Sequence, residues 1–97
     1  MPVVIELETS PGHFTETRGK VIDISGGGIK FSSARHFRSQ DALLLHLEFP
    51  NRSDEDGEPH RLQLKAEVVF CKENPKAAMN ETWVTACRFV DILDMDE

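Results

Sequence analysis

Asp23 and Ser25 stand two residues apart at the end of the apolar run Val21-Ile22-Asp23-Ile24, and Gly26, Gly27 and Gly28 follow at once. In an extended strand alternate side chains share a face, so the carboxylate and the hydroxyl project together. Asp23 can accept two hydrogen bonds from a guanine-like N–H edge, and Ser25 can donate or accept. Glycines take positive φ and let a ligand or a second chain come close to the backbone, and the expectation is a left-handed Gly28. This is the chemistry of recognition. The same residues also allow a plain turn in which Asp23 and Ser25 cap loop N–H groups.

The charge around this stretch is unlike that of the whole chain. The formal charge is −6, with acid crowded into Asp54, Glu55, Asp56 and Glu58 and into Asp91, Asp94, Asp96 and Glu97. Between Arg18 and Arg38 the balance reverses, with Arg18, Lys20, Lys30, Arg35 and Arg38 against Asp23 alone. Arg18 and Arg35 are candidate phosphate contacts. Arg35-His36-Phe37-Arg38 offers a basic loop, for which a solvated loop is the plainer reading. In a regular strand Lys20 and Arg18, at odd separations from Asp23, face away from it.

Other chemistry finds little support. His13, His36, His46 and His60 show no ligand spacing with one another or with Cys71 and Cys87, so no metal site is expected. No Gly-Lys-Ser/Thr follows the glycines and no helix opens after them, which excludes a phosphate loop of the NTPase type. No nucleophile–base or carboxylate pair stands out, and the chain reads as a binding module and not an enzyme.

The elements that must carry these residues repeat with a period of two. Val3 to Glu8 alternates apolar and polar, Pro11-Gly12 signals a turn, and His13 to Ile24 is a longer strand. Ile29 to Phe31 is short, and Ser32 to Asp41 reads as a polar loop. Leu43, Leu45, Leu47 and Phe49 share one face of a fourth strand, and Pro50 to His60 is an acidic loop. Leu62, Leu64, Ala66, Val68 and Phe70 share one face of a fifth, and Thr82 to Ile92 is the last, with Trp83 and Phe89 together on its core side. Strands at this spacing without a helix pattern predict an all-β fold, a six-stranded antiparallel barrel in which closure removes exposed edges.

The composition, 39% hydrophobic and 29% charged over 97 residues, is that of one globular domain. No apolar run approaches the ~20 residues of a membrane helix, and Met1-Pro2 leads straight into a strand without an export signal. The expected compartment is therefore the cytoplasm, with Cys71 and Cys87 as free, buried thiols. The negative charge and the lack of tyrosine argue against a nucleic-acid barrel, the charge also argues against binding to an anionic membrane, and no direct membrane insertion is expected.

Asp23-x-Ser25-x-x-Gly28, with a β-branched strand before it and Ile29-Lys30-Phe31 after it, resembles the second signature motif of PilZ domains. The Leu-rich strand ending at Phe49-Pro50, then Leu64-Lys65-Ala66-Glu67-Val68-Val69, then Ala86-Cys87-Arg88-Phe89-Val90-Asp91-Ile92 extend the likeness over about residues 3 to 92. The resemblance implies a six-stranded barrel of PilZ type, a bacterial signalling receptor for cyclic di-GMP. In it Asp23, Ser25 and Gly28, with Gly26 and Gly27, would meet a guanine and the adjoining backbone of the dinucleotide. It also implies a protein partner or linked domain that ligand binding controls. The family's first motif, Arg-x-x-x-Arg ahead of the first strand, has no counterpart, since no arginine precedes Arg18. The chain stops at Glu97, where the family often continues into a helix. Residues 1–97 thus read as one domain, excised or minimal; the alternative is a degenerate interaction module that no longer binds the nucleotide.

Overall fold

The structure, a computed structural model, describes residues 1–49 and 60–95. The expected acidic loop over 50–59 and the last two acidic residues lie outside the described residues. Six strands follow in order: β1 (Pro2–Ser10), β2 (His13–Ile24), β3 (Gly28–Ser33), β4 (Ala42–Phe49), β5 (His60–Glu73) and β6 (Trp83–Met95). A 3-10 turn at Met79–Glu81 precedes β6.

Each strand joins its neighbour antiparallel, in the order β1-β2-β3-β6-β5-β4, and β4 pairs back onto β1 through Val3–Leu47, Ile5–Leu45 and Leu7–Leu43. The sheet therefore closes, and the all-β six-stranded barrel expected from the period of two is the fold. Among the described residues closure leaves no unpaired edge along the wall. The tight hairpin between β1 and β2 turns at Gly12, whose φ of +79° lies where a side chain would be strained.

Alternation sends Val3 and Ile5, Leu43, Leu45 and Leu47, and Leu64, Ala66 and Val68 inward, where they meet Ile29, Phe31 and Cys87. Trp83 and Phe89 fall on the inner face of β6 as expected, both half-buried. The Trp83 ring meets His36 edge-on at 4.6 Å.

Three expectations from strict alternation are corrected. Ser32 to Asp41 is not simply a polar loop. β3 continues through Ser33, and Phe37 turns back to fill the barrel end, fully buried and packed edge-on against Phe31 at 6.0 Å. Phe70 does not share the face of Val68. The ladder goes from Val68–Cys87 to Phe70–Ala86, so Val69 is an extra residue. This bulge turns Phe70 outward and Cys71 inward. The third correction concerns Asp23.

Candidate functional site

β2 carries a second bulge. Val21 pairs with Phe31 and Asp23 with Lys30, which leaves Ile22 unpaired between them. Val21 faces inward and Lys30 outward, so the extra residue resets the alternation and puts Asp23 outside. A regular strand would have aimed Asp23 at the inner position of Ile29. Lys20 therefore shares the outer face with Asp23 and does not point away from it. Lys20 Nζ lies 3.1 Å from Glu81 Oε1, which ties the 3-10 turn to the outside of the wall.

Past Asp23 the chain makes a closed turn. The Ser25 N–H donates to the Gly28 carbonyl at 2.9 Å, and the Phe89 N–H donates to the Gly27 carbonyl at 3.0 Å. Asp23 and Ser25 are both exposed. Among the described residues neither side chain engages a loop N–H, so the plain capping role is not the one they play here. Gly28 departs from expectation in another way. Its φ is not left-handed, but a Cβ there would collide with the backbone carbonyl of Cys87 on β6. The glycine is needed for close approach of two strands, and Gly26 and Gly27 face open space.

The other candidate residues are not gathered at this turn. Arg18 lies five residues earlier on the outside of β2 and lines a cleft shared with β1, β4 and β5. Arg35 belongs to the opposite end of the barrel. Its guanidinium donates to Thr15 Oγ1 and lies 5.7 Å from the centre of the Phe37 ring. Lys30 is the cross-strand partner of Asp23, and Lys20 lies on the same outer face three residues earlier. Both relationships depend on the bulge: without it Lys30 would pair with Ile22, and Lys20 would face away from Asp23.

The Cys87 thiol is no reactive centre. Burial pushes the Cys87 thiol up to about 12, with the neighbouring Cys71 thiol adding to the shift, so it stays protonated at neutral pH. Among the described residues no group of His, Cys, Asp and Glu gathers as a metal site, and no helix is long and apolar enough to cross a membrane.

A closed antiparallel barrel with an exposed carboxylate and hydroxyl beside a glycine turn defines a small β-barrel binding domain. The family model of the PilZ domain matches residues 1–97, and the chain belongs to that family. Among solved structures the chain is similar to the Bacillus subtilis inhibitor of motility (MotI/DgrA), with a TM-score of 0.60 and 20% identity. That match covers 96% of this chain and 40% of the other, so the chain spans less than half of that protein's length. No curated protein matches.

Proposed function

We propose that this chain is a bacterial regulatory domain that binds cyclic di-GMP at the outer end of β2 and controls a partner protein or linked domain. The observation that carries the reading is the bulge at Ile22, which brings Asp23 to the surface opposite Lys30 and beside the Ser25–Gly28 turn. Asp23 and Ser25 would take the guanine edge, and the Gly26–Gly27 backbone would lie along the base without side-chain obstruction. Lys30 and Lys20 are the cations in reach of the phosphates. Family membership supports the choice of ligand, because PilZ domains are receptors for this dinucleotide. Val21 N–H donates to the Met1 carbonyl at 2.7 Å, so any segment fused ahead of Met1 would emerge beside Asp23, where the family places its arginines.

The site holds groups for binding and none for turnover, so the ligand acts through different affinities for two states of a larger assembly. The free thiols of Cys71 and Cys87 suit a reducing cytoplasm. Titration calorimetry with cyclic di-GMP tests the reading. Heat that saturates with the wild type and vanishes with Asp23→Ala supports it; identical isotherms for the two proteins refute it.

A second reading, an interaction module without nucleotide, is favoured by one feature of the outer wall. Val69 on β5 and Val90 on β6 are each more than half exposed, and Phe70 next to Val69 is 37% exposed. Apolar residues turned outward on adjoining strands suit contact with another protein. On this reading Asp23→Ala leaves partner binding intact, while Val69→Lys weakens it.

A further inference from the structure

The register aligns four outward residues across four strands: Arg18 on β2 faces Val4 on β1, Val4 faces His46 on β4, and His46 faces Gln63 on β5. A cleft of about 500 Å³ runs over this row, within the usual range of small-molecule sites. Pro2 and Val4 supply apolar lining, and Arg61 adds a second guanidinium beside Gln63. Strands lie ~4.8 Å apart, so Arg18 and Gln63 stand roughly 14 Å from each other.

The charges in the cleft are unequally committed. Arg61 Nε lies 3.2 Å from Glu48 Oε1, so this cation is largely answered. Arg18 has no carboxylate within ion-pair distance among the described residues. His46 Nε2 is buried without a hydrogen-bond partner, for Glu6 Oε2 at 3.5 Å is outside hydrogen-bond geometry. A flat, uncommitted guanidinium at one end of an apolar floor suits a phosphate, which it can grip with two N–H groups. The amide of Gln63 at the far end offers both a donor and an acceptor to a polar heteroaromatic edge. Glu48 makes the β5 side the less suitable end for an anion.

We infer that this cleft is a second binding site, for a small organic phosphate with a flat heteroaromatic group, its phosphate on Arg18 and its ring over Val4 toward Gln63. The site is independent of the glycine turn, which lies at the end of β2 beyond Asp23, and does not rest on the cyclic di-GMP reading.

The test uses AMP as the probe in heteronuclear NMR titrations of the whole chain. The expected result is saturable movement of the Val4, His46 and Gln63 amides, with those of Ser25 to Gly28 unmoved. Arg18→Gln should weaken binding by about tenfold or more, the value of one charge-assisted contact. Asp23→Ala should leave it unchanged, which separates this site from the dinucleotide site. Inorganic phosphate should bind at least about tenfold more weakly than AMP if the apolar floor contributes. Arg18 is exposed and has no carboxylate partner among the described residues, so Arg18→Gln folds normally, and its unchanged amide spectrum away from the cleft verifies that. No saturable movement up to about 10 mM AMP, or movement confined to the glycine turn, overturns the inference.

Discussion

Asp23 stands opposite Lys30 across the β2–β3 ladder, one step beyond the Val21–Phe31 pair, because Ile22 is an extra residue between them. The carboxylate is exposed and makes no side-chain hydrogen bond or ion pair among the described residues, so the fold does not depend on it. Asp23→Ala should therefore change stability by no more than ~0.5 kcal/mol, as surface substitutions usually do. Urea unfolding followed by tryptophan fluorescence measures this, and a larger loss would show that Asp23 has a structural role.

This pair also marks where reading the sequence stops. The six strands, their order along the chain and the inward faces of β1 and β4 follow from a period of two, because burial on one face forces apolar residues to alternate. Bulges leave no such trace, since one added residue inverts every later position while the alternation on either side stays intact. Asp23 and Phe70 were both displaced for this reason. Asp23, Ser25 and the glycines are recognisable as a group because they are adjacent in sequence. Their relation to Lys20, and the alignment of Arg18 with His46 and Gln63, depend on register between strands, which one sequence does not display.

Phe37 is the second residue that local pattern conceals. It sits among Arg35, His36 and Arg38, yet it is 1% exposed and closes the barrel end against Phe31. Phe37→Ala should cost about 3–5 kcal/mol through lost burial and the cavity left behind. For a domain of this size that lowers the melting temperature by on the order of 10–20 °C or more. His36→Ala, which loses only an edge-on contact with Trp83, should cost about 0.5–1.5 kcal/mol. Similar losses for the two variants, read by differential scanning calorimetry, would contradict the burial assigned to Phe37.

The glycine turn separates two kinds of requirement. At Gly28 a side chain would strike the Cys87 carbonyl, so Gly28→Val should lose about 1–3 kcal/mol as strands β3 and β6 are pushed apart. At Gly26 a Cβ meets open space and the φ is not left-handed. Gly26→Ala should accordingly be neutral or stabilise by up to ~1 kcal/mol, because it restricts the unfolded chain. Thermal melts of the two variants beside wild type give the answer directly.

Cys87 makes stability depend on pH in the alkaline range. Its thiol titrates near 9.0 when exposed and near 12 in the fold, so folding favours the protonated form. The unfolded chain ionises first, which stabilises it relative to the native state and narrows the native state's margin as the pH passes 9. The contribution from Cys87 is complete below about pH 9 and declines above it, by at most ~1.4 kcal/mol per pH unit. Cys87→Ala removes this dependence while lowering stability at neutral pH. The stability difference between wild type and Cys87→Ala should therefore narrow from pH 8.5 to 10.5, measured by urea unfolding at each pH; a constant difference would mean that the thiol ionises as readily in the fold as outside it.

The affinity of the chain for cyclic di-GMP follows from which contacts it can supply. Asp23, Ser25 and the Gly26–Gly27 backbone offer neutral and charged hydrogen bonds to a guanine, but no arginine precedes Arg18 to meet the phosphates. Arg18 lies in a separate cleft and Arg35 is held by Thr15, so neither replaces the family's arginine pair at the turn. A charge-assisted contact is worth ~1.5–3 kcal/mol, and the loss of two removes roughly 3–6 kcal/mol. A receptor of ~1 μM affinity would fall to between ~0.1 mM and weaker than ~10 mM. Lys30 and Lys20 recover part of this, although Lys20 already answers Glu81 and both are screened by solvent. The chain alone should thus bind at the submillimolar end of that range or weaker, with heats that fall as salt is raised. An Arg-x-x-x-Arg segment fused ahead of Met1 emerges beside Val21 and should tighten binding by about a hundredfold or more. Calorimetry on both forms decides between the two readings of the domain: tightening that Asp23→Ala abolishes identifies the dinucleotide receptor, and silence from both forms leaves the outer wall of β5 and β6, with Val69, Phe70 and Val90, as the functional surface.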